Sequence, residues 1–175
     1  SQSGKVITLS QDIVLPMDWV SVGGTDKPFE GEFDGRGFTV TLNPLVTEPL
    51  FREVGEGGYV HDVTVEGDLA SATRTAFGCI AGMNLGLIDN CTAVLTGAGK
   101  TLTKTCGGIV GQNGDGVVNT MSYTVTVIQE GGTISNCTVT MENMASTSNI
   151  VGGIAGASFG GKIENCTLTK DSSIT

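Results

Sequence analysis

Cations and aromatic rings are scarce in this 175-residue chain: nine Lys and Arg face 18 Asp and Glu, and aromatics make up 5%. The net charge of −9 argues against nucleic acid and anionic membrane surfaces as partners, because both demand basic patches. Long apolar runs are missing as well. The best, from Phe77 to Ile88, is interrupted by glycines and falls short of the roughly 18 residues a membrane span requires, so no membrane insertion is expected. There is no Cys-x-x-Cys pair, which argues against a zinc ribbon, and an odd count of five cysteines weakens a disulfide framework. No signal peptide is visible, and the opening Ser1-Gln2-Ser3-Gly4 without Met reads as processed or trimmed.

What the chain does have is 27 glycines among frequent Val, Ile and Thr, a mixture that favours strands and tight turns over helices. The length suits one well-cored domain, 1–175. Internal repeats are the strongest signal. Phe77-Gly78-Cys79-Ile80-Ala81-Gly82 followed by Ile88-Asp89-Asn90-Cys91-Thr92 recurs as Cys106-Gly107-Gly108-Ile109-Val110-Gly111 with Ile134-Ser135-Asn136-Cys137-Thr138. It recurs again as Val151-Gly152-Gly153-Ile154-Ala155-Gly156 with Ile163-Glu164-Asn165-Cys166-Thr167. A degenerate earlier copy holds Pro49-Leu50-Phe51 and then Val60 to Val65.

Val63 to Cys91 is 28 residues and Cys137 to Cys166 is 29, whereas Cys91 to Cys137 is 46, so that repeat carries an insertion. Two short apolar runs per unit, separated by Gly, Asn and Asp at a fixed period, predict a solenoid with one coil per repeat. Equivalent strands then pair in parallel and alike residues stack in columns. Ile80, Ile109 and Ile154 form one predicted column, and Ile88, Ile134 and Ile163 another. Val63, Cys91, Cys137 and Cys166 form a third, with Val65, Ala93, Val139 and Leu168 two residues on. Because Val63 fills the cysteine position, the thiols read as small buried hydrophobes, free and inert. Cys79, out of phase with Ile80, is expected to be more accessible, and the reactivity of Cys79 and Cys106 stays open. Asn90, Asn136 and Asn165 are expected to occupy a bend as a hydrogen-bonded ladder. Each is also an Asn-Cys-Thr sequon, with its amide expected to be hidden from glycan attachment.

The Gly-Gly-Ile-Val-Gly block followed by Ile-x-Asn-Cys-Thr resembles the GLUG-motif repeats of bacterial secreted and surface proteins. Trp19-Val20-Ser21-Val22-Gly23, then Pro28 to Val40 with Phe33-Asp34-Gly35-Arg36-Gly37, looks like the segment that precedes such repeats, so the similarity runs from about residue 17 to 170. The resemblance implies a right-handed parallel β-helix of the kind found in adhesins and large surface proteins, with the repeats as scaffold and no catalytic site. Pro49-Leu50-Phe51 departs from the glycine-flanked block and blurs that coil boundary.

β-Helices also host polysaccharide lyases and hydrolases, which line up acids, or acids with Lys or Arg, on one exposed face. Asp34 is the most tempting acid, but Asp-Gly-Arg-Gly is a turn signature. Asp89, Ser135 and Glu164 share an outward column that reads as a solvated face. His61 has no Cys or Ser partner. The N-terminal acids Asp12, Asp18, Asp26, Glu30, Glu32 and Asp34 form no calcium loop. The outward threonines Thr64, Thr92, Thr138 and Thr167 suit exposed strands, and the second row needed for an ice-binding face spans only two coils. No catalytic residue, metal or cofactor is therefore expected.

The insertion from Asp115 to Gly131, with Val117, Met121, Tyr123, Val125 and Val127, is expected to form a hairpin-like arm. It either folds back on the helix flank or presents a contact surface, and Met121, Tyr123, Val125 and Val127 are its candidate ligand-binding residues. The full expectation is an all-β solenoid of about five coils with an N-terminal strand cap over 4–22 and the arm at 115–131, read as a fragment of a longer surface protein with neighbouring domains. Its expected role is non-enzymatic adhesion or ligand binding on a bacterial surface or in secretion, toward a host or cell-surface glycan or protein. A purely structural spacer and a polysaccharide-active enzyme are the alternatives.

Overall fold

The structure, a computed structural model, describes residues 4–42, 48–68, 76–96, 101–102, 105–119, 121–122, 124–142, 145–146 and 152–170. Among them there is no helix, hence none long and apolar enough to cross a membrane. The chain winds as a parallel β-solenoid with three faces. Face A stacks Val6–Thr8, Glu32–Asp34, Tyr59–His61, Leu87–Asp89, Thr133–Ser135 and Lys162–Glu164. Face B stacks Ile13–Val14, Thr39–Thr41, Thr64–Asp68, Thr92–Thr96, Thr138–Glu142 and Thr167–Lys170. Face C stacks Phe51–Val54, Ala81–Asn84, Val110–Asn113 and Ala155–Ser158. Four coils thus carry all three faces, against the five expected, because the last described turn contributes only faces A and B. Residues 4–22, expected as a cap, supply strands that continue faces A and B in parallel register with Glu32–Asp34 and Val40–Thr41.

The register reproduces the columns. Val60, Ile88, Ile134 and Ile163 align on face A. Val65, Ala93, Val139 and Leu168 align on face B. Ile80 N donates to Ile109 O at 3.0 Å and Ile109 N to Ile154 O at 2.9 Å, so the third isoleucine column is bonded through its backbone. Val63, Cys91 and Cys137 accept in turn from Thr92, Thr138 and Thr167 one coil on. A residue in such a column is buried only when both neighbouring coils are present. Ile88 and Ile134 are fully buried, while Ile7 and Ile163 at the two ends of their column are each 39% exposed. Full burial of an isoleucine stabilises by about 1.5–3 kcal/mol, so each added coil stabilises the one beneath it.

The corners have their own chemistry. Between faces A and B, Arg36, Asp62, Asn90, Asn136 and Asn165 all take left-handed backbone with φ of 49–54°, which Asn and Asp adopt most readily among residues with a Cβ. Between faces C and A the coils meet backbone to backbone: a Cβ on Gly132 would lie 1.9 Å from Gly86 O, so only glycine fits.

All five cysteines are thiols, not disulfides, and Cys79, Cys91, Cys106 and Cys137 are buried. Cys79 corrects an expectation, for it is 0% exposed. The two-residue alternation fails where the chain rounds a corner, and Phe77, Cys79, Ile80 and Ala81 all turn inward together. Burial pushes the Cys79 thiol far above its ordinary value. In the column, the Cys91, Cys137 and Cys166 thiols lie 3.1–3.3 Å from the carbonyls of Asp89, Ser135 and Glu164, two residues back. Hydrogen bonding to Cys137, together with burial, raises the Cys91 thiol well above its usual range.

Candidate functional site: an exposed hairpin and an acidic face around His61

The insertion forms the expected hairpin. Asp115–Asn119 pairs antiparallel with Thr124–Gln129 in the register Gly116 to Val127, Val117 to Thr126, Val118 to Val125 and Asn119 to Thr124. At the tip, Asn119 Oδ1 accepts from Met121 N at 3.0 Å and Ser122 N at 3.1 Å, the local bonding that makes Asn a turn residue.

The base is locked to the solenoid. Phe159 N donates to Asn113 O at 2.7 Å and Gly131 N to Phe159 O at 2.8 Å. The buried Phe159 ring lies so close to Gly116 that a Cβ there would sit 2.4 Å from its Cδ1. Beyond this base the arm does not fold back. Every residue of Thr124–Gln129 is exposed, and Val117, Val118, Met121, Val125, Val127 and Ile128 are 45–93% exposed.

Of the predicted contact residues, Met121, Val125 and Val127 lie on this surface, and Tyr123 falls outside the described residues. Directly paired residues share a face, so Val118 joins Val125 and Val127, whereas Val117 looks the other way beside Thr126. Val118 and Ile128 were missed because simple alternation from Val117 runs out of phase with the register the hairpin adopts. Asp115 to Gly116 carries a bulge.

The second feature lies on face A. Register sets Asp34 beside His61 and His61 beside Asp89. His61 Nδ1 is 2.7 Å from Asp62 Oδ2 and 3.9 Å from Asp34 Oδ1, while Nε2 is 3.2 Å from Glu32 Oε1. Tyr59 stacks on the imidazole with centroids 4.2 Å apart. Burial opposes the charged ring, but hydrogen bonds to Asp62 and Glu32 outweigh it and raise the His61 pKa above its usual value. The same contact with His61, helped by Asn90, lowers Asp62. Asp34 also plays its expected turn role, its Oδ1 accepting from Arg36 N at 2.8 Å.

The asparagines of the outer bend do not bond one another. Asn90 donates to Asp62, and Asn136 donates to Asp89 at 2.7 Å. All three sequon asparagines, Asn90, Asn136 and Asn165, are exposed, so the bend does not hide them. A true amide ladder lies elsewhere, between the buried Asn84 and Asn113.

Comparison with known proteins gives one family. The GLUG motif matches residues 147–174, the stretch that holds Ala155–Ser158, Lys162–Glu164 and Thr167–Lys170. No curated protein and no solved structure matches the chain. The blocks of the matched segment recur in register in the two preceding coils. The chain is thus a parallel β-solenoid that carries a GLUG motif at residues 147–174, with the same pattern stacked beneath it.

Proposed function

We propose that this chain is a non-enzymatic adhesion module of a secreted or bacterial cell-surface protein, and that its arm contacts a partner protein. The observation that carries this reading is the arm itself: six apolar side chains between 45 and 93% exposed on a hairpin whose base is pinned by Phe159. Solvent-exposed apolar clusters on a rigid support favour a contact surface over packing. From Gly116 to Ile128 the arm has no charged residue in a chain of net charge −9, so an apolar protein surface suits it better than a highly polar glycan. Faces A and B offer repeated threonines and acids, which keep the solenoid body solvated.

Replacing residues 118–125 by Asn-Gly keeps the Val117 to Thr126 pair and removes the arm's outer half. The parent and this variant are to be compared on immobilised extracellular proteins and on a glycan array. Binding of the parent to a protein surface that the variant loses, with an unchanged melting curve, supports the reading. Binding confined to glycans, or equal for both proteins, contradicts it. No binding by either favours the alternative, a structural spacer.

A further inference from the structure

We propose that Asp34, His61 and Asp62 form a binding site for a zinc-class divalent cation on face A. One ligand atom from each of the three residues lies within 4.8 Å of the other two. The donors sit on rigid elements. Asp34 and His61 are register partners on adjacent strands, and Asp62 is fixed at the neighbouring left-handed corner with φ of 54°.

The surroundings match what a metal-bound imidazole requires. A ligating histidine usually donates its other ring N–H to a carboxylate, and ligating carboxylates are themselves hydrogen-bonded. Here Glu32 stands 3.2 Å from His61 Nε2, Asn90 donates to the other oxygen of Asp62, and Arg36 N donates to Asp34. Among the described residues the ion-pair contacts of Glu32, Asp34 and Asp62 are with His61 alone. Three carboxylates and one imidazole therefore leave negative charge that a divalent ion neutralises.

Donor chemistry chooses the ion. One imidazole nitrogen and two carboxylates suit zinc and its first-row neighbours, with water filling the open positions. Calcium needs six to eight oxygens and gains little from nitrogen. Asp34 and Asp62 also line a surface depression with Arg36 and Asn90, which gives their carboxylates access to solvent.

The test is calorimetric titration of the intact, reduced protein with zinc chloride, beside NMR of its one histidine. One ion per chain is expected, with a shift of the imidazole ring signals. Asp34→Asn and His61→Asn should each lose about tenfold or more in affinity, and Glu32→Gln about tenfold. Cys166→Ser, at the half-buried end of the thiol column, should bind like the parent. If His61→Asn fails to fold, Asp34→Asn and the ring shift decide. Absence of one-to-one binding, calcium binding as tight as zinc, zinc lost with Cys166→Ser, or affinity unchanged by Asp34→Asn would each overturn the proposal.

Discussion

Asn84 donates its side-chain amide to Oδ1 of Asn113 across 2.9 Å, and both side chains are completely buried. Gly86 N donates to Asn84 Oδ1 at 3.2 Å, and Asn113 Nδ2 donates to Gly132 O at 3.0 Å. The amides thereby satisfy the corner where faces C and A meet and the arm departs.

Asn113→Ala should therefore cost about 2–4 kcal/mol, since it leaves buried donors and acceptors unmatched. Asn165→Gly, at an exposed corner with φ of 53°, should change stability by less than about 0.5 kcal/mol. Urea denaturation of the two variants measures the contrast. Equal effects would remove the inner ladder's special role.

Glu53 is 7% exposed, and burial, aided by Asp115, raises its pKa above the ordinary carboxylate value. A raised folded-state pKa gives stability that is complete below the unfolded pKa and lost as pH rises through the folded one. Glu53→Gln should therefore be more stable than the parent at neutral pH and equal to it in acid. Thermal melts across pH 4 to pH 8 read this directly; a variant less stable at pH 7 contradicts it.

Ellman's reagent should find the thiols of Cys79, Cys91, Cys106 and Cys137 silent in the native protein, because all four are buried and only an exposed thiolate reacts. Cys166 should react slowly. After denaturation all five should titrate. Rapid native labelling at Cys79 would mean the corner opens.

Phe159→Ala removes the ring against Gly116 and should cost about 3 kcal/mol. Its signature is local. Amide exchange should accelerate across Asp115–Gln129, while the column strands Leu87–Asp89 and Thr133–Ser135 stay protected. Uniform acceleration would mean that the arm's base is part of the global core.

The columns of isoleucine and cysteine were legible because each coil repeats the same side chain at the same inward position, and parallel stacking forces equivalent residues together. Corners were not. Cys79 was assigned by strand alternation, which has no meaning where Phe77 through Ala81 round a bend. The inner amide ladder hides in two unlike contexts, Met83-Asn84-Leu85 and Gln112-Asn113-Gly114. Its common signal is the three-residue distance from the paired Ala81 and Val110. The carboxylate neighbours of His61 are not legible when the repeat is traced back only to Val60. Carried one coil further, Phe33 aligns with Val60 and brings Asp34 to His61. The arm's existence was readable from the broken period, but its register, and so the placement of Val118, depended on a bulge.

The account separates a supporting solenoid from a contacting arm, and a matched pair of charge insertions tests that division. Val125→Asp places a carboxylate on the exposed apolar face of the arm, and Thr92→Asp places one on the threonine column of face B. Binding of both variants is measured on the protein surface that the parent recognises. Loss of binding by Val125→Asp, with Thr92→Asp binding as the parent does, is the predicted result. Retention by Val125→Asp together with loss by Thr92→Asp would place recognition on the solenoid body and contradict the account.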